Sequence, residues 1–139
     1  MTENEKYELV KRALTARGKS YSPYSRFAVG AALLTDDGEI FTGANIESAS
    51  YSPTVCAERV AFFSAVHSGK RDFKAIAIVG GPITEDVSSF TAPCGVCRQV
   101  MAEFCGPDFE IILYDGDNIK SYTFAELLPE SFGKSNLKQ

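Results

Sequence analysis

A single histidine, no cluster of lysine or arginine, and no long apolar run are the informative shortages of this 139-residue chain. A helix that crosses a bilayer needs about 20 consecutive apolar residues, and no stretch approaches that length. Met1 to Arg12 is charged and helix-like, without the apolar centre of a secretory signal, so a cytoplasmic protein with no membrane partner is expected. Fourteen basic residues against eighteen acidic ones leave a formal charge of -4. Proteins that grip polynucleotides neutralise phosphates with a basic stripe. Without that stripe, a small and weakly charged substrate is favoured over DNA or RNA. No linker, repeat or low-complexity segment interrupts the chain, and its length suits one domain over residues 1–139.

The pattern of apolar residues and turns reads as an α/β protein. Glu5 to Arg17 places Leu9, Val10, Ala13 and Leu14 on one helical stripe, with Gly18 as C-cap. Phe27 to Leu34 and Glu39 to Asn45 are strand-like and flank Asp36-Asp37-Gly38, a hairpin signal. After a loop from Glu47 to Pro53, the apolar residues Val60, Ala61, Phe63 and Ala65 suit a helix running from Cys56 to about Gly69. Phe73 to Val79 reads as a buried parallel strand, and Gly80-Gly81-Pro82 opens the next loop. A helix from Cys94 to about Phe104, a strand from Glu110 to Tyr114 and a short helix from Phe124 to Leu128 complete the order. Helices alternating with strands imply a mixed sheet with helices packed on it.

What is present carries chemistry. Cys56-Ala57-Glu58 and Pro93-Cys94-Gly95-Val96-Cys97 each open a helix, with Thr54 as a cap for the first and Pro93 beginning the second. Helix starts favour thiolate over thiol, and side chains of the first turn lean beyond the helix end. Two such starts meeting would bring Cys56, Cys94 and Cys97 to one zinc ion, with Glu58 beside its open position as a proton shuttle. Cys105 lies about 12 Å past Cys97, and His67 about 16 Å past Cys56, along their helices, too far to close the site. The fourth position therefore goes to water, a carboxylate or substrate. Arg59, three residues after Cys56, shares its helical face and can donate to the ligand sulfurs, drawing off their charge.

Rival readings use fewer of these residues. A thioredoxin-like redox pair would explain Cys94 and Cys97 but leave Cys56 and Glu58 idle. A structural zinc site needs four protein ligands, and no fourth is within reach.

At Cys56-Ala57-Glu58-Arg59 and Pro93-Cys94-Gly95-Val96-Cys97-Arg98-Gln99 the chain closely resembles the small, cysteine-ligated cytidine deaminases. The likeness extends to Ser22-Pro23-Tyr24-Ser25-Arg26-Phe27, to Gly43-Ala44-Asn45-Ile46-Glu47 and to Leu127-Leu128-Pro129-Glu130-Ser131-Phe132. The resemblance implies a three-layer α/β/α fold around a five-stranded mixed sheet, with Lys120 to Thr123 as the last strand. It implies one zinc per chain on Cys56, Cys94 and Cys97, Glu58 as shuttle, and a homotetramer whose active sites are shared between subunits. It places Asn45 and Glu47 on the ribose 3′-hydroxyl, Phe27 beside base and sugar, and Ala57 among the substrate contacts. Tyr51 and Phe132 would reach a neighbouring subunit's site. The implied reaction is hydrolytic deamination of cytidine and 2′-deoxycytidine, in pyrimidine salvage. Blasticidin deaminases share the metal motifs, but Asn45-Ile46-Glu47, the Ser-Pro-Tyr-Ser-x-Phe segment and Phe132 point to the cytidine branch.

A polynucleotide-editing deaminase is the remaining alternative, and it would show salt-sensitive affinity for single strands. A gel shift with single-stranded DNA and RNA is expected to show none.

Overall fold

The computed structural model describes residues 1–137. The first element is helix α1, Glu3–Arg17, followed by strands β1, Phe27–Thr35, and β2, Ile40–Ala44. Helix α2, Ala57–His67, strand β3, Phe73–Pro82, and helix α3, Gly95–Phe104, come next. Strands β4, Glu110–Tyr114, and β5, Ile119–Thr123, precede the short helix α4, Phe124–Leu127, and a 3-10 turn at Lys134–Asn136. The five strands form one sheet in the order β2-β1-β3-β4-β5. β1 pairs antiparallel with β2 and β3, β3 pairs parallel with β4, and β4 pairs antiparallel with β5. The sheet is therefore mixed, as expected.

Strand alternation sends successive side chains to opposite faces, and each face builds its own core. Leu33, Ile76, Ile78, Ile111 and Leu113 meet Ala57, Ala61, Phe62, Ala65 and Met101 of α2 and α3. On the other face Ala32, Ala75, Ala77, Val79 and Ile112 meet Leu9, Val10 and Ala13 of α1. Three layers result, with the sheet in the middle and the motif-bearing helices together on one side. Phe62 ties that side together: its ring lies 5.2 Å from Phe73, 6.0 Å from Phe109 and 6.4 Å from Phe104. Each such aromatic pair contributes about 0.5–1.5 kcal/mol beyond the burial of its area.

Local chemistry moves several boundaries from the expected ones. α1 begins at Glu3 rather than Glu5, because Thr2 and Glu5 form a reciprocal capping box. Gly18 does cap that helix, yet with a right-handed backbone, φ -64°. β3 runs on through Gly80, Gly81 and Pro82, which pair with Val29, Ala28 and Phe27, so the expected loop there is strand. Its parallel character holds only on the β4 side. In α2 it is Phe62 that is buried, while Phe63 is 49% exposed, because the buried stripe passes through Ala57, Ala61 and Ala65.

Close packing sets where α2 starts. A Cβ on Gly43 of β2 would lie 2.4 Å from the Ala57 carbonyl oxygen and 2.7 Å from the Ala61 nitrogen. Glycine there lets the first turn of α2 rest directly on β2. Gly43→Ala is expected to cost about 1–3 kcal/mol through overpacking and to lower metal retention, since the turn it displaces carries Cys56 and Glu58. Chemical denaturation and metal analysis check this; an unchanged midpoint would refute the packing argument.

Candidate active site

Cys56 and Cys94 occupy equivalent places, each the extended N-cap residue of its helix. Thr54 is not the cap of α2, contrary to expectation: its hydroxyl accepts from the Ser48 backbone N–H at 3.0 Å and braces the preceding loop instead. Pro93 lies just before the α3 cap and is fully buried. Neither cysteine makes a side-chain capping bond, and each sits at the positive end of its helix. Ile46 and Val55 hold the loop before α2 closed by exchanging backbone hydrogen bonds of 3.0 and 2.9 Å. Arg98 fixes the start of α3, donating from Nε to Pro93 O at 2.8 Å and from Nη1 to Leu127 O at 2.7 Å.

The three sulfurs converge. Cys56 Sγ lies 3.7 Å from Cys94 Sγ, Cys94 Sγ lies 3.5 Å from Cys97 Sγ, and all three fall within 4.8 Å of one another. Sulfur ligands about 2.3 Å from a common zinc ion stand at this kind of separation. Among the described residues no other cysteine or histidine joins them: His67 is exposed, and Cys105 caps the far end of α3. Burial pushes the Cys105 thiol up to about 12, so it stays protonated.

The donor set itself calls for a cation. Cys56 is lowered to about 5, chiefly by a hydrogen bond from Cys97 and also by Arg59, while Cys97 is raised by that same shared proton and by burial. Without a metal the first thiolate holds its neighbour protonated; a divalent ion removes that conflict and lets all three ionise. Arg59 Nη2 donates to Cys56 Sγ at 3.5 Å, and this bond raises the guanidinium's pKa. Its buried Nε has no hydrogen-bond partner among the described residues. That unmet donor beside the sulfurs fits a site designed to hold concentrated negative charge.

Glu58 is 4% exposed, and burial raises its carboxyl to about 7, with the Cys56 charge adding to the effect. A carboxylate poised near neutrality is suited to both accept and return protons. It shares a cleft of about 280 Å³ with Asn45, Glu47, Cys56, Ala57, Thr91 and Cys94.

The far side of the cleft is tied to the chain segment before β1. The Asn45 side chain extends the β1–β2 ladder: Nδ2 donates to Phe27 O at 2.8 Å, and Oδ1 accepts from Val29 N at 2.9 Å and from Ser20 Oγ. Glu47 Oε1 accepts from the Tyr24 and Ser25 backbone N–H groups at 3.0 and 3.1 Å, and Oε2 accepts from Ser25 Oγ. The Ser25 hydroxyl bond is the main cause that lowers the Glu47 carboxyl below its ordinary range. One Asn45 N–H and spare Glu47 lone pairs remain to meet a ligand hydroxyl.

Asn45, Glu47, Cys56, Ala57, Glu58 and Cys94 thus line one cleft, and Cys97 and Arg59 sit at the sulfur cluster. Phe27, Tyr51 and Phe132 do not line it within this chain. Phe27 is 38% exposed and backs the wall beside Thr91: a Cβ on Gly80 would meet Thr91 Oγ1 at 2.8 Å and Phe27 Cε1 at 3.1 Å. Tyr51 is 72% exposed and packs edge-on against Tyr24, ring centroids 6.3 Å apart. Phe132 is 58% exposed, its carbonyl held by Gln99 Nε2 at 2.8 Å. Thr91 and Ala92 also line the cleft. Sequence reading passed over them because nothing in Thr-Ala before Pro93 signals a site.

A three-layer α/β/α domain with three convergent thiols and a buried acid in one cleft defines the class of zinc-dependent hydrolytic enzymes. A family model, the cytidine and deoxycytidylate deaminase zinc-binding region, matches residues 3–112. A cytidine deaminase of Sporosarcina psychrophila is 48% identical over 132 residues, covering 94% of this chain and 93% of that protein. One from Halalkalibacterium halodurans is 52% identical over 126 residues, covering 89% and 91%. The crystal structure of cytidine deaminase from Burkholderia pseudomallei superposes with a TM-score of 0.83 at 45% identity, covering 95% of this chain and all of that one. The chain belongs to the cytidine and deoxycytidylate deaminase family.

Cys94→Ala is expected to lower zinc content from one per chain to a small fraction and to reduce thermal stability at the same time. Metal analysis with a melting curve checks this, and a zinc-replete variant would remove Cys94 from the ligand set.

Proposed function

We propose that this enzyme hydrolytically deaminates cytidine and 2′-deoxycytidine at C4, releasing ammonia and giving uridine or 2′-deoxyuridine in pyrimidine salvage. The observation that carries the proposal is the buried Glu58 in the same cleft as the three-sulfur cluster. Cys56, Cys94 and Cys97 hold one zinc ion per chain. When bound, zinc supplies Lewis acidity that makes water a nucleophile at neutral pH. Arg59 offsets part of the charge that three thiolates concentrate there.

Glu58 moves the protons. It accepts one from the attacking water as the oxygen bonds to C4, and delivers it to ring N3. It then carries the second hydroxyl proton to the exocyclic amine, so that the C4–N bond breaks, ammonia leaves and a C4 carbonyl remains. A burial-raised carboxyl near neutrality gives up and takes back a proton with little penalty in either direction. Asn45 and Glu47 bind the sugar, Ala57 contributes to the wall against the base, and Phe27 flanks base and sugar.

One chain's cleft, at about 280 Å³, falls just below the 300–1,000 Å³ or so that ligand sites usually enclose. The exposure of Tyr51 and Phe132 supports a homotetramer in which each aromatic completes the site of a neighbouring subunit. The protein is a single deaminase domain that acts in the cytoplasm. No helix among the described residues is long and apolar enough to cross a membrane.

Glu58→Gln is expected to keep one zinc per chain while losing at least about 100-fold in turnover, the scale of general acid–base catalysis. The ultraviolet change on mixing with cytidine reads the rate, and near-native turnover would dismiss Glu58 as the shuttle.

A further inference from the structure

Ser25 is absorbed by neither the metal site nor the sugar contacts, yet its hydroxyl joins two of the proposed substrate residues. Oγ donates to Glu47 Oε2 and accepts from the Phe27 backbone N–H at 3.1 Å. The Ser25 and Tyr24 backbone N–H groups both serve Glu47 Oε1, so this two-residue segment donates to both carboxylate oxygens. The turn that makes this possible is strained. Arg26, between Ser25 and Phe27, adopts a left-handed backbone at φ 57°, an uncommon conformation for a residue with a side chain. It is held there from both ends, by Arg26 N donating to Ser22 O at 3.0 Å and Ile83 N donating to Arg26 O at 2.9 Å.

Resting on the reading that Glu47 and Phe27 face the sugar and the base, we infer that Ser25 is the positioning residue that fixes both of them against the nucleoside. The geometry explains why a hydroxyl is needed at this position. Without the hydroxyl Glu47 is held through Oε1 alone, and a ribose hydroxyl recognised by a less fixed carboxylate pays more of the cost of ordering it. With the hydroxyl donating to one oxygen and two backbone groups donating to the other, the carboxylate is oriented before substrate arrives. The same oxygen atom, by accepting from Phe27 N, sets where β1 begins and hence the ring at the cleft wall. Ser25 thereby acts on substrate binding through Glu47 and Phe27, without touching the reacting atoms.

The test is a mutant cycle on the zinc-loaded, full-length enzyme with cytidine as substrate. Ser25→Ala is expected to raise KM about tenfold, the scale of one hydrogen bond to a charged group, with kcat changed less and zinc content unchanged. Ser25→Thr, which keeps the hydroxyl, should restore KM to within about threefold of the original value. In a Glu47→Ala background, adding Ser25→Ala should change kcat/KM less than about twofold, because the group it positions is gone. A full tenfold penalty persisting in that background, or an unaltered KM in Ser25→Ala, would overturn the inference while leaving the deaminase reading intact. Wild-type enzyme inert toward cytidine would instead overturn the reading itself. If Ser25→Ala does not fold, Ser25→Cys decides the matter: its weaker donor should give a KM between those of the serine and threonine enzymes and that of Glu47→Ala, and a wild-type KM would refute the role.

Discussion

Two helix starts, pressed against one another by the packing of their own sheet face, impose the constraint on which this protein turns. α2 and α3 lie on the same side of the sheet, and the aromatic cluster around Phe62 fixes their relation. Gly43 allows α2 to approach, and Arg98 holds the first turn of α3. Three sulfurs then have no alternative to close contact, within 4.8 Å of one another. Ionised thiols at that distance repel strongly unless a cation joins them. The demand for a metal is thus a product of helix packing; the half-buried Arg59 guanidinium answers the same concentration of charge, while burial is the main cause that lifts the Glu58 carboxyl.

Polar groups at the other end of the cleft serve two purposes at once. Asn45 extends the hydrogen-bond ladder between β1 and β2 with its side chain, and Glu47 anchors the turn at Tyr24 and Ser25. Each retains some bonding capacity after these duties. A binding residue that is also a brace is rigid by construction, and rigidity lowers the entropic cost of recognising a small polar ligand. It also means that structural damage and loss of substrate recognition are hard to separate at these positions by single substitutions. Cycles of paired substitutions resolve the two.

Much of the architecture was legible from the chain. The order of helices and strands, the hairpin at Asp36-Asp37-Gly38 and the two cysteine motifs at helix starts all stand where the pattern placed them. The misreadings share a physical cause, which is that tertiary contacts outweighed local preference. Thr54 is a good capping residue, yet the Ser48 N–H claims its hydroxyl. Gly80-Gly81-Pro82 looks like a turn, yet β1 offers the backbone partners that make it strand. Phe63 is as apolar as Phe62, but the rotation of α2, set by three alanines, buries only the latter.

The chain by itself determined the donor set. Ligand chemistry depends on residue type and on distance along a helix, and both can be counted; three reachable sulfurs, one adjacent acid and no fourth ligand follow from that count. Tertiary structure alone decided which distant residues share the cleft. Asn45 and Glu47 reach it through the pairing of β1 with β2, while Tyr51 and Phe132 stay exposed on the chain's own surface. Spacing in sequence carries no information about such meetings, because they depend on how the strands pair and on which sheet face each helix covers.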